Sequence, residues 1–277
     1  MAVERRYEAD VEAILARRFD GGADYWATPD GRLVKGAPFS TLECALYLLE
    51  LGMEPDDPVL KETANLIFGT WREDGRFQLS AKGAIYPCQT AHAAQVLCGL
   101  GYASDERVER TLRHLLEIQC ADGGLRCNKF SFGRGPETEH SNPHPTLLML
   151  NAFRHSGYLN RSEALDRAVE FLLAHWDIKK PIGPCHYGIG TLFMQVEYPF
   201  RNYNLFQYVH VLSFYDRAKG DRRFLEAFAA LEAKCSDGEV VVERVVPKLS
   251  KFAFCKKGET SELATKRYRE IRTNLGA

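Results

Sequence analysis

The strongest constraint on the fold is an internal period. Pro38, Pro87, Pro143 and Pro199 recur roughly 50 residues apart. The third residue after each is a helix-capping type: Thr41, Thr90, Thr146 or Asn202. In the first three copies a glycine, Gly52, Gly101 or Gly157, follows at the same later offset. Proline fits the first turn of a helix, where its missing N–H costs nothing, and glycine fits the left-handed cap at the end. Each copy therefore predicts an apolar helix of about four turns.

A second series precedes it: Asp30-Gly31, Asp74-Gly75, Asp122-Gly123 and, late in the chain, Asp237-Gly238. Asp-Gly marks a tight turn, because aspartate bonds its own backbone and glycine accepts positive φ. Helical patterns span Tyr7 to Phe19, Pro58 to Trp71, Asp105 to Gln119, Ser162 to Trp176 and Asp221 to Cys235. In the third, Val108, Leu112, Leu115 and Leu116 take one face while Glu106, Arg107, Arg110 and Arg113 take the other. The unit reads as amphipathic helix, Asp-Gly turn, loop, apolar helix. The stretch from Glu239 to Val246, rich in valine, is the exception and reads as a short strand.

With 277 residues, 45% of them hydrophobic, the chain can bury a large core, and a closed series of repeats predicts a single domain over 1–277. A formal charge of -1 with acids and bases interspersed excludes a nucleic-acid footprint. The basic run Lys266, Arg267, Arg269 and Arg272 reads as a solvated helix face. The first residues lack an apolar signal segment and no run suits an integral membrane span, so a cytoplasmic protein is expected. Its eight cysteines are then expected to be reduced.

The apolar helices carry one polar stripe. At 100° per residue, one narrow sector holds Phe39, Glu43, Leu46 and Glu50, then Cys88, His92, Gln95 and Gly99. The next two copies place His144, Leu148, Asn151 and His155, and Phe200, Asn204, Gln207 and Val211, in that sector. A helix apolar all round except for one such stripe faces a cavity if the apolar helices form an inner ring. Otherwise the polar groups bond to neighbouring backbone. Gln95, Asn151, Asn204, Gln207, Arg201 and Tyr203 are the candidate substrate-binding residues, and His92 and Glu43 the candidate catalytic ones.

The outer helix ending near Gln119-x-x-Asp122-Gly123-Gly124, followed by a loop and an inner helix starting Pro-x-x-Thr, resembles the repeat of the terpenoid cyclase and protein prenyltransferase superfamily. The resemblance covers about residues 7 to 235 and implies an all-α fold, an α/α toroid of inner and outer helices. It implies a transferase-like enzyme acting on a lipophilic or isoprenoid-like small molecule in a central cavity. The alternative is a noncatalytic binding or scaffold protein that keeps the ring for its surface.

The cyclases' Asp-x-Asp-Asp acid is missing. The matching helix start reads Tyr86-Pro87-Cys88-Gln89-Thr90-Ala91-His92, which supplies no acid strong enough to protonate an alkene. The prenyltransferases' zinc, which turns a thiol into a thiolate nucleophile, implies a ligand set here of Cys88, His92 and His144, although the family's Asp-x-Cys pair is absent. His140 and Cys185-His186 stand near equivalent helix starts. Arg126, Lys129, Arg134, Lys179, Lys180 and Arg201 would form either a diphosphate-binding rim or ordinary solvated loops. The aromatics of the fourth unit, Tyr198, Phe200, Tyr203, Phe206 and Tyr208, suit a ligand wall or a packed core equally.

Overall fold

A computed structural model describes residues 5–127 and 129–276. The described residues are predominantly helical, with one two-stranded hairpin, β1 (Cys235–Ser236) and β2 (Glu239–Val240), where the valine-rich stretch begins. The amphipathic helices are α1 (Glu8–Leu15), α3 (Pro58–Phe68), α5 (Glu106–Glu117), α7 (Glu163–Ile178) and α10 (Arg222–Glu232). Asp57, Asp105 and Asp221 cap three of them, accepting the N–H of Val59, Arg107 and Arg223 at 2.8, 2.9 and 2.8 Å. A four-residue helix, α9 (Asp216–Lys219), precedes α10.

The apolar helices are α2 (Thr41–Glu50), α4 (Pro87–Gly99), α6 (Pro143–Phe153) and α8 (Leu205–Leu212). Proline opens α4 and α6, as its geometry predicts. The other two copies correct that expectation. Pro38 and Pro199 follow cis peptide bonds, and the helices start several residues later. There Ser40 closes a capping box with Glu43, and Asn204 accepts the Gln207 N–H at 2.9 Å. Gly52 and Gly101 take φ of 93° and 89° just past α2 and α4, while Gly157 does not adopt the left-handed cap.

The Asp-Gly turns fix how each apolar helix meets the chain before it. Asp122 accepts the Gly124 and Ser141 N–H groups and the Ser141 hydroxyl, tying the turn to the start of α6. Two residues beyond the glycine, the backbone donates to a threonine of the next helix. Phe77 reaches Thr90 at 3.4 Å, Leu125 reaches Thr146 at 2.9 Å and Val240 reaches Thr265 at 2.9 Å. Thr265 lies in α11 (Glu262–Leu275), which is thereby the fifth helix of the apolar series. The basic run is not simply a solvated face: Arg267 is only 21% exposed and holds Glu50 of α2.

Consecutive helices of this series touch: α2 with α4, α4 with α6, α6 with α8 and α8 with α11. Amphipathic helices lie against them: α1 and α3 on α2, α5 on α4 and α6, α7 on α6, and α10 on α8. Every residue of α8 is buried, and so is every residue of α6 except His144. Each buried Leu, Met or Phe there contributes roughly 1.5–3 kcal/mol. Asp10 of α1 accepts the N–H groups of Ala253 and Phe254 at 3.0 and 2.9 Å, and Tyr47 of α2 packs on Phe254, joining the two ends of the chain. No helix among the described residues is long and apolar enough to cross a membrane.

Candidate functional site

The helical stripe converges. Glu43 and Leu46 of α2, His92 and Gln95 of α4, His144 and Leu148 of α6, and Phe200, Arg201 and Gln207 around α8 line one cavity of about 250 Å³. A second cavity of about 360 Å³ is lined further along the same helices by Leu49, Glu50, Gly99, Asn151 and His155, together with Arg154, Tyr198, His210, Arg267 and Glu270. Leu46, Tyr47, Gln95 and Phe200 border both. The two are thus neighbouring lobes, one near the helix starts and one near the helix ends.

In the first lobe the Glu43 carboxylate is fixed from two sides. Its Oε1 accepts from Arg201 Nε at 2.7 Å and its Oε2 from the Ser40 hydroxyl at 2.8 Å. The carboxylate side chain is 12% exposed, so this is a charge pair largely withdrawn from water. His92 stands within its field. Burial lowers the His92 imidazole below its ordinary value; Glu43 opposes that and Arg201 adds to it. Burial also drives His144 down to about 3, and competition with His92 for a proton and the Arg201 charge add to it. Both rings are therefore neutral at pH 7, and a neutral imidazole beside a fixed carboxylate can take up a proton and have the resulting charge stabilised.

In the second lobe Arg267 bridges two carboxylates. It meets Glu50 Oε1 through Nε at 2.9 Å and Glu270 Oε1 through Nη1 at 2.6 Å. The Tyr198 hydroxyl donates to Glu50, and His210 Nε2 pairs with Glu270 at 2.9 Å. Burial alone would raise Glu50, but the Arg267 charge and hydrogen bonds outweigh it and hold the carboxyl below its usual range. Burial would raise Glu270 as well, but the His210 hydrogen bond and then the Arg267 charge outweigh it and hold the carboxyl down to about 2.

Several buried polar atoms around the lobes have no partner among the described residues: Tyr47 Oη, Gln95 Oε1, His144 Nε2, Gln207 Oε1 and His210 Nδ1. Buried polar groups are nearly always paired, and leaving one unpaired costs about 1–3 kcal/mol. Five such atoms belong to residues that line the two adjoining cavities.

Not every residue singled out from sequence lies here. Asn204 is fully buried but is used as the α8 cap, its Nδ2 donating to the Asn202 carbonyl at 2.7 Å, so its side chain is occupied by the backbone. Tyr203 stacks on His175, and its hydroxyl lies 3.0 Å from His175 Nδ1. With Trp176, Phe193 and Tyr208 it forms packed core beside the cavity, not its wall. Neither is among the residues lining the two lobes.

The proposed ligand set for zinc is also divided. His92 and His144 share the first lobe. The Cys88 thiol instead belongs with Cys127 and Cys185, and burial first, then Cys127, pushes it up to about 11. Among the described residues no three His, Cys, Asp or Glu side chains are arranged to hold a metal ion. The basic residues do not gather either. Arg126 and Lys129 border a separate surface hollow with Phe130 and Pro184, Lys179 and Lys180 are exposed, and Arg201 is committed to Glu43.

Sequence reading missed Arg154, His210, Arg267 and Glu270. The last two sit on α11, whose place in the series is marked by Asp237-Gly238 and Thr265 but not by a proline. Arg154 and His210 fall just outside the stripe's offsets, and no sequence signal marks them. No protein-family model matches the chain, and no curated protein matches it significantly.

Proposed function

We propose that the chain is an α/α toroid of the kind found in terpenoid cyclases and protein prenyltransferases, and that its central two-lobed cavity binds and transforms a small molecule with both apolar and polar parts. The reading rests on one observation: polar stripe residues from successive apolar helices border two adjoining lobes and leave buried atoms unpaired there. Leu46, Leu148 and Phe200 supply apolar wall, and Gln95, Gln207 and Tyr47 supply groups that fix orientation. Glu43 and His92 form the acid–base pair, with His92 as the proton acceptor and Arg201 as the group that positions Glu43.

Concave, partly apolar spaces with convergent polar groups are what a small-molecule site needs and what a scaffold surface does not. The test is calorimetric titration of the protein with ten- to fifteen-carbon isoprenoid alcohols, comparing wild type with Gln95→Leu and Gln207→Leu. Binding to wild type that weakens in both variants while their melting temperatures stay level or rise supports the proposal. Variants that melt early and bind unchanged would assign both glutamines to structure.

A further inference from the structure

Every other guanidinium facing the two lobes has a carboxylate of its own. Arg201 pairs with Glu43, and Arg267 with Glu50 and Glu270. Arg154, at the end of α6, does not. Its Nε donates to the neutral Asn151 Oδ1 at 2.7 Å, and its guanidinium lies 4.5 Å from the centre of the Phe214 ring. Among the described residues it has no ion pair and no acceptor for either Nη. The Glu50 and Glu270 oxygens are already taken by Arg267, Tyr198 and His210.

Arg154 borders the second lobe and is only partly exposed. Burial pulls its ordinary value down, and the next influence is the like charge of Arg267, ahead of the attraction of Glu270 and Glu50. A guanidinium drawn away from water beside another cation, with its fork open to a cavity, is matched by an anion of fork geometry. A second observation marks the same lobe. His210, 2% exposed, keeps Nδ1 without a partner, and Gln95, 8% exposed, keeps Oε1 unpaired at the junction of the lobes; with His210 Nε2 donating to Glu270, both atoms are acceptors and suit a hydroxyl of the bound molecule, not its anionic oxygens. Cationic placement at a helix end is favourable in itself but asks nothing of the cavity, so it leaves these atoms unexplained.

We infer that the second lobe is a subsite for an anionic head group, a carboxylate or a phosphate monoester, held by the two Nη atoms of Arg154 with the Asn151 amide beside it. Leu46, Leu49 and Phe200 receive the adjoining apolar part. This names the substrate class of the cavity and rests on the proposal that the cavity binds a small molecule.

Three probes with one ten-carbon chain test it: decanoate, decyl phosphate and 1-decanol, titrated into the full chain and followed by calorimetry below their aggregation concentrations. The wild type should bind an anion at least tenfold more tightly than decanol. Arg154→Met should weaken anion binding about 10- to 100-fold, the value of a charge-assisted bidentate contact, and leave decanol binding unchanged. Arg154→Lys, which keeps the charge and loses the fork, should fall between. Tighter decyl phosphate assigns a phosphate head, tighter decanoate a carboxylic acid. Decanol binding as tightly as both anions to wild type overturns the subsite while leaving the cavity reading intact, and needs no variant to fold. If none of the three binds, the cavity reading and the subsite fall together.

Discussion

Removing Arg267 tests how the first and fifth apolar helices are held together. Its side chain is 21% exposed, Glu50 is 17% exposed, and Glu270, which shares it, is 33% exposed. Taking one partner from a buried pair costs about 3–5 kcal/mol, because the remaining charge has lost both its water and its counterion. Glu50 keeps the Tyr198 hydroxyl and Glu270 keeps His210. Arg267→Met should therefore fall at the lower end, about 3 kcal/mol, or roughly 6–12 °C in melting temperature for a chain of this size. Glu50→Gln together with Arg267→Met removes the orphaned charge and should recover about 2 kcal/mol of that loss.

Urea unfolding of the two single variants and the double variant gives the coupling directly. Both carboxyls are held below their unfolded values, so their stabilisation is present above about pH 4.5 and is lost as pH falls toward about 2. In Arg267→Met that acid limb should move to higher pH. A loss under about 1 kcal/mol, or strictly additive single-variant effects, would refute the reasoning by showing that the pair is solvated in solution.

Other outcomes follow from the same structure. Gly123 has φ of 91°, and a methyl there would meet the Arg167 carbonyl oxygen at 2.3 Å, so Gly123→Ala should cost about 2 kcal/mol or more in urea unfolding; an unchanged midpoint would mean that the turn relaxes freely. His175 and His210 are each driven down to about 4 by burial, so stability present above the ordinary imidazole value should be lost as pH drops from about 6.5 to 4; equal urea midpoints at pH 7 and 5 would contradict this. Burial pushes the thiols of Cys98 and Cys255 up to about 12, so both should resist iodoacetamide in the native protein at pH 7 and react in urea, as read by mass spectrometry. Added zinc should not raise the melting temperature, since among the described residues no three His, Cys, Asp or Glu side chains are arranged to hold a metal ion; a rise abolished by His144→Ala would support the ligand set of Cys88, His92 and His144.

The repeat was legible because its signals are local. Aspartate caps, Asp-Gly turns and threonines three residues after a helix opens act on neighbouring backbone, and they recur in most copies of the unit. The stripe was legible for a related reason: four copies in one register place Glu43, Leu46, His92, Gln95, His144, Asn151 and Gln207 in one angular sector, and they line the lobes together. Asn204 shares that register, yet the chain around Pro199 enters its helix late, which turns Asn204 into a cap. The fifth apolar helix escaped the sequence because no proline opens it and its charged residues resemble an exposed face. What ties it to the apolar series is a contact with Glu50, more than 200 positions away in the chain. Arg154 shows the same limit, since an absent counter-charge is visible only once every neighbour is placed.

The central claim is that the cavity holds a small molecule. Native mass spectrometry of the intact chain, purified gently and then offered amphiphilic ten- to fifteen-carbon compounds, measures this with least interpretation. The account predicts one noncovalent adduct per chain, present on purification or formed on addition, and weakened by Gln95→Leu and Gln207→Leu. A bare mass under both conditions, with the lobes lined as they are, would contradict it.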